Sequence, residues 1–498
     1  MKNKLKRFLT KENILNRKNF IFLSIFILFF GVAFFRFQNL GYSEFQDDEK
    51  KARFLISPES SWQDFLLSQR KGPLQFIFTL APILITKDPL NEFSIRFPFA
   101  LSSFLASVVL YLIIFKLTKS HLASFFVVGF FSINGFVVGF GRIAQYQNLN
   151  ILFSFLAILF TIYLTKNNTK IILYSILAGG FYGISFLAHW DAVYYAPILL
   201  YLGICFLRRK DLNHKIKIKA VFGVLVSFMI FLLPFLIPYL QNLTSTQNSN
   251  LTYLNSRVGV EGSEISRHYE IFKLYNPFVT EYFLIVGFVI SVFFFRKTFM
   301  FISWSILSFL AIKFFMTTPK THIYNYLIPL TITSTLGFYF LYEMLIKNSK
   351  KFLKIIGVII LLSTFLTLSF LTFQSYTIFI DTNPEYPWNA KKVLWFKAPE
   401  VVSNEVITFG FPYKRGYKEI SKIIPENCKF QSNENKSMMQ IYIKGDWGNS
   451  RDCFYYIRVK KPFDLDGKKD VYPGLKDSKK VYEYTNFNET QTQVYKLK

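Results

Sequence analysis

The feature that leaves this chain the fewest choices is a series of almost uncharged apolar runs, each near the ~20 residues that cross a hydrocarbon core. They cover residues 20–37, 93–115, 122–140, 149–165, 171–188, 192–207, 220–240, 277–295, 298–316, 323–346 and 355–373. In lipid the backbone N–H and C=O groups can bond only one another, so each run is predicted to be a helix. The expected fold class is an α-helical polytopic membrane protein with about 11 transmembrane helices. Composition agrees, since 52% of the 498 residues are hydrophobic, well beyond an even soluble distribution. The first run follows a basic start (Lys2, Lys4, Lys6, Arg7) and has no small-residue cleavage site behind it, so it reads as an uncleaved span.

A net charge of +27 would point to nucleic acid in a soluble chain. Here the cations sit in short clusters between apolar runs, at residues 1–19, 116–119, 166–170, 208–219, 296–297 and 347–354. With the spans above, these clusters share one side, which the positive-inside rule makes the cytoplasm. The first loop (38–71), the loops 141–148, 189–191, 241–276 and 317–322, and everything from residue 374 are then extracytoplasmic. The chain is expected in the plasma membrane as a multi-pass protein. One apolar segment, 73–85, is too short to span and would reverse every later loop if it did. It is expected as an interfacial or re-entrant helix beside the first outer loop.

The chain divides at residue 373. The segment 374–498 alternates strand-like runs (406–409, 440–443, 453–459, 480–484, 493–497) with polar turns such as Lys444-Gly445-Asp446, as a small β-rich domain would. It holds Cys428 and Cys453, which an oxidising exterior would allow to pair, although sequence gives no distance between them. Cys205 lies in an apolar run and is expected to be inert.

Groups able to do chemistry concentrate in the outer loops. Asp47, Asp48 and Glu49 are consecutive, so on a helix they cannot all face one pocket. A carboxylate held at the membrane face can take the proton of an acceptor hydroxyl during group transfer, while the plainer reading is an acidic helix start. Arg70 and Lys71 precede a Gly72-Pro73 turn and could clamp a lipid-linked phosphate, or simply reach the headgroups. Arg142, Gln145, Tyr146 and Gln147 lie at the next outer mouth, and His189-Trp190-Asp191 fills a tight turn. Arg257 sits in the long outer loop, Lys313 near the end of a span, and Lys320, His322, Tyr324 and Asn325 open the next span. No His-x-x-x-His or Cys pair marks a metal site, and no Walker-type loop cradles a nucleotide.

In order and spacing, these motifs resemble the superfamily of dolichyl-phosphate-mannose protein mannosyltransferases and aminoarabinose transferases. The matching residues are Asp48-Glu49, Lys71-Gly72-Pro73-Leu74 and Asn91-Glu92-Phe93-Ser94-Ile95-Arg96-Phe97-Pro98. The resemblance implies a GT-C fold for residues 1–373, with 374–498 as an extracytoplasmic soluble domain. It implies inverting transfer of a hexose or pentose from a polyprenyl-phosphate donor to an extracytoplasmic protein, lipid or cell-surface glycan. Asp48 corresponds to the general base, with Glu49 beside it, and Lys71 to the residue engaging the donor phosphate. Arg70, Arg142, Arg257, Lys313 and Lys320 are candidate helpers at that phosphate, and Gln147, His189, Asp191, His322 and Tyr324 candidate substrate contacts. Gly72 departs from the usual Lys-Pro-Pro turn, and Arg70 stands where some members carry a metal-binding acid or His. No cofactor is demanded, and a divalent metal is left open. The alternatives are a transporter or flippase of polyprenyl-linked glycans, which would need polar groups along a path through the bilayer, and a non-catalytic receptor or assembly subunit.

Overall fold

The computed structural model describes residues 2–46, 48, 49, 61, 72–244, 259, 262–399, 408–450, 452–463, 474, 475 and 478–497. It is mainly helical. The helices are α1 (Lys2–Phe37), α2 (Leu74–Thr86), α3 (Glu92–Thr118), α4 (His121–Ile133), α5 (Gly135–Phe140), α6 (Gln147–Lys166), α7 (Ile171–Ala188) and α8 (Ala196–Leu207). There follow α9 (His214–Thr244), α10 (Ile265–Tyr275), α11 (Thr280–Phe293), α12 (Phe295–Phe315), α13 (Tyr324–Ile346) and α14 (Lys351–Ser375). Every apolar run named above coincides with helix, and among the described residues eight helices are long and apolar enough to span a membrane.

One expected span is interrupted, and polar side chains account for the break. The run 122–140 is α4 and α5, parted at Asn134, whose side chain accepts the Phe136 N–H (3.1 Å) and donates to Thr331 Oγ1 (3.3 Å). Asn276 Oδ1 takes the freed Gly135 N–H at 2.9 Å, so the backbone donor at the break is satisfied. The run 277–295 begins after a bend of 115° between α10 and α11. The segment expected at the interface is indeed a helix of 13 residues, α2, burying Leu74, Phe76 and Thr79 against its neighbours.

Helix contacts in the bundle use small residues. A Cβ on Gly179 of α7 would fall 2.1 Å from the Val224 carbonyl of α9, so the two backbones touch, as small-xxx-small faces allow. The basic loops meet at one end: Lys166 Nζ donates to Lys116 O (2.6 Å), and Arg209 Nη1 donates to Leu164 O (3.1 Å) and Asn167 O (2.7 Å). At the opposite end lie the first loop, the 141–148 loop, the His189 turn and the tail.

The tail holds helices α15 (Tyr417–Ile420) and α16 (Lys436–Tyr442), and strands β1 (Lys392–Val393), β2 (Phe396–Lys397), β3 (Lys429–Ser432), β4 (Asp446–Trp447), β5 (Phe454–Val459), β6 (Lys479–Asn486) and β7 (Glu489–Leu497). β1 and β2 pair as a hairpin, and the other five form one sheet in the order β4-β3-β5-β7-β6. The expected strand at 440–443 is instead the end of α16. Asn435 caps that helix through the Ser437 N–H, and Met438, Met439 and Tyr442 are buried at helical spacing. The expected strand at 406–409 lies largely outside the described residues. Cys428 and Cys453 are disulfide-bonded with Cα atoms 5.0 Å apart at a sequence separation of 25, a loop whose closure contributes about 3 kcal/mol.

The tail does not stand apart from the bundle. Trp388, Tyr413, Tyr417 and Ile420 share one apolar cluster with Phe45, Leu74, Ile95, Phe99, Leu149 and Ala188.

Candidate functional site

The site is built around the loop that follows α1. Asn91 caps α3 by accepting the Ser94 N–H, which starts the helix where Arg96 can reach back to that loop. Arg96 donates through Nη1 to Leu40 O (3.1 Å) and Ser43 O (2.7 Å), and through Nη2 to Glu44 O (2.8 Å). Its Nε and Nη2 also grip both oxygens of Glu49 at 2.8 and 2.7 Å. Glu49 further accepts the Ala144 N–H and the Gln46 N–H, each at 2.8 Å, and is 0% exposed. A carboxylate with four hydrogen bonds is a strut, and it ties the first loop to α3 and to the 141–148 loop at once. Asp48 is half-buried on the same helical turn, its backbone fixed by this anchor. Asp47 lies outside the described residues.

The neighbouring motif positions serve the tail. Glu92 accepts from Tyr442 OH (2.9 Å) and from Lys418 Nζ (2.5 Å). Glu44 accepts the N–H groups of Arg415 (2.7 Å) and Tyr417 (2.5 Å). Burial pushes the Glu44 carboxyl up to about 8, against the downward pull of those two donors. Its folded value therefore lies above the unfolded one of about 4.3, so the protonated form is the one the fold favours. Its contribution is complete below the unfolded value and is lost as pH rises through about 8. The tail is accordingly expected to unfold or become protease-sensitive at lower temperature above that pH than at neutrality, and Glu44→Gln should flatten the dependence.

Lys71, Arg70 and Arg257 lie outside the described residues, but Gly72 is described and has φ +98°. A Cβ there would stand 2.3 Å from the Leu187 carbonyl, so the turn lies against the end of α7, just before His189. The proline usual at this position in the resembled family has φ near −65° and could not adopt this conformation. Arg142 is buried and donates to the carbonyls of Phe35 (3.3 Å), Gln38 (2.8 Å) and Asn39 (3.1 Å), closing off the end of α1. Lys313 is half-buried and donates to Ser263 O. Lys320 is half-buried at φ 42°.

Three of the candidate substrate contacts, His189, His322 and Tyr324, converge on a fourth, Asp191. Its carboxylate meets His189 Nδ1 at 2.9 Å and His322 Nδ1 at 2.9 Å, and accepts from Tyr324 OH at 2.9 Å. Asn325 Nδ2 donates to the same carboxylate at 3.1 Å; the sequence placed Asn325 beside Tyr324 at the start of that span but gave it no role. The His189 ring stacks on Tyr146 with centroids 3.8 Å apart. Gln147 is buried next to Tyr146, and its Oε1 has no hydrogen-bond partner. Both side-chain polar atoms of Gln145, and the Oδ1 atoms of Asn150 and Asn325, are likewise buried and unpaired, which marks this end of the bundle as made for polar company. His189, Asp191 and His322 bring one ligand atom each within 4.8 Å of the others and could hold a metal ion.

Comparison with known proteins places this architecture. A family model described as dolichyl-phosphate-mannose-protein mannosyltransferase matches residues 71–237, about a third of the chain. The fold is similar to the crystal structure of ArnT from Cupriavidus metallidurans in the apo state, at 11% identity and TM-score 0.52 over 97% of this chain and 98% of that one. It is similar also to the same protein bound to undecaprenyl phosphate, at 10% identity and TM-score 0.53 over 96% of this chain and 98% of that one. No curated protein matches by sequence.

Proposed function

We propose that this chain, a member of the GT-C superfamily of protein mannosyltransferases and aminoarabinose transferases, moves a sugar from a polyprenyl-phosphate carrier to an acceptor outside the cytoplasm. In this reading the transfer inverts the anomeric centre. Asp48 takes the proton of the acceptor hydroxyl as its oxygen attacks the anomeric carbon, and the polyprenyl phosphate departs. Lys71 and Arg70 receive the charge that grows on that phosphate, with Arg257, Lys313 and Lys320 around it. Glu49 and Arg142 act as positioning residues, because their polar atoms are engaged in holding the loop that carries Asp48. Gln147 and the polar groups about Asp191 face the sugar or the acceptor. The sugar is a hexose or pentose, and the acceptor a protein, lipid or cell-surface glycan.

One observation carries the reading. The buried ionisable side chains among the described residues, from Arg36 and Glu49 to Arg142, Asp191 and His268, belong to one end of the bundle or to the tail. A carrier would need them along the bilayer depth; a transferase acting at one face needs them where they are. The disulfide within the tail suits an oxidising exterior and supports that face as extracytoplasmic. The test is to incubate membranes containing the chain with radiolabelled polyprenyl-phosphate sugars. Label should become covalently attached to an acceptor. Label that crosses the bilayer still bound to its lipid would favour the flippase reading instead.

A further inference from the structure

We propose that His189, Asp191 and His322 bind one divalent transition metal of the zinc class. The donor set is two imidazole Nδ1 atoms and one carboxylate oxygen, the mix that suits zinc and its neighbours. Asp191 Oδ1 lies 2.9 Å from His189 Nδ1 and 3.1 Å from His322 Nδ1. Ligand atoms about 2.1 Å from a tetrahedral ion stand about 3.4 Å apart; the three donor atoms lie within 4.8 Å of one another, and to close on one ion His189 Nδ1 must also give up the Asp191 backbone N–H that it accepts at 3.1 Å.

The surroundings are those of a held ligand set. Asp191 Oδ2 accepts from Tyr324 OH (2.9 Å) and Asn325 Nδ2 (3.1 Å) and lies 2.9 Å from His322 Nδ1, while Oδ1 lies between the two imidazoles. Outer hydrogen bonds of this kind set the orientation of metal-bound carboxylates. The His189 ring is pinned by its stacking on Tyr146, and Asn325 Nδ2 also holds the His322 carbonyl at 3.0 Å. Charge argues the same way. Asp191 is 5% exposed, and among the described residues neither lysine nor arginine pairs with it. A buried carboxylate needs a cation, and a divalent ion between it and two neutral imidazoles supplies one. Three protein ligands leave a fourth position open, as at zinc sites that act on substrate. That open position would face an anionic group of the donor; this role rests on the proposed function, whereas the presence of the ion does not.

The experiment uses the full chain in nanodiscs, stripped with chelator, dialysed, and loaded with zinc or cobalt. We expect about one ion per chain by elemental analysis, and with cobalt a visible ligand-field band of the strong, tetrahedral kind. His322→Gln and His189→Gln should each lower occupancy at least ten-fold, with thermal unfolding in the absence of metal unchanged as the control for folding. Anomalous scattering at the metal edge should place the ion between the three side chains. No retained ion in the wild-type chain, or equal loading of wild type and both variants, would overturn the assignment and leave a hydrogen-bonded His-Asp-His network only. Because the readout is bound metal, a chain that loads zinc yet transfers no sugar refutes the transferase reading and not this one.

Discussion

Asp48→Asn is expected to lower sugar transfer by roughly 10³-fold while leaving thermal unfolding in place, because it removes a general base worth about 10²–10⁴ in rate. The substitution is nearly isosteric, and the anchor of its loop is the next residue, Glu49, whose bonds to Arg96, Ala144 and Gln46 it does not touch. Donor binding should therefore survive, and the loss should appear in kcat rather than in KM. The measurement is initial-rate transfer of labelled sugar from a polyprenyl-phosphate donor by purified chain in nanodiscs. Turnover within a few-fold of wild type would remove Asp48 from the mechanism.

Glu49→Gln and Arg96→Ala should behave differently. Each breaks a buried ion pair with both partners almost fully sequestered (1% and 0% side-chain exposure), and a charge left alone there costs about 3–5 kcal/mol. In Glu49→Gln an amide N–H₂ must also face one of two backbone donors, from Ala144 or Gln46, that the carboxylate now accepts. Both variants are expected to lose activity together with stability, seen as a lower unfolding temperature and as new protease cutting in the first loop. Restoring shape alone should not rescue Arg96, since Lys cannot reproduce the five-donor fork that holds Leu40, Ser43, Glu44 and Glu49 together. An Arg96→Lys chain as stable as wild type would show that the fork is dispensable.

The helical bundle was legible in the sequence because lipid leaves an apolar run one option. The break at Asn134 was not, since a single polar residue in an apolar run reads as tolerated until Thr331, which accepts from its amide, and Asn276, which accepts the Gly135 N–H, are known. The Asp48-Glu49 motif announced a site, yet two adjacent acids look alike on paper, and only Arg96 reaching back from α3 separates the strut from the candidate base. His189 and His322 were each named as candidate substrate contacts, but nothing in the sequence linked one to the other. They lie 133 residues apart (322 − 189) and meet only because α7 and α13 bring their ends to one carboxylate. In the tail, alternation of short apolar runs found β5, β6 and β7, but read as strand a segment that Asn435 caps as helix.

The shared wall between the tail and the first loop bears on how acceptor choice should be investigated. Trp388, Tyr413 and Tyr417 share one apolar cluster with Phe45 and Ile95, and Glu44 reaches across to the backbone of Arg415 and Tyr417. A fragment cut at residue 374 would bare that wall to water and lose its stitching, so its binding preferences would report on a damaged surface. Chimaeras that graft another tail onto this bundle would have to carry residues 40–46 along with it, so whatever the proposed transfer draws from the tail would be inherited by the two pieces jointly.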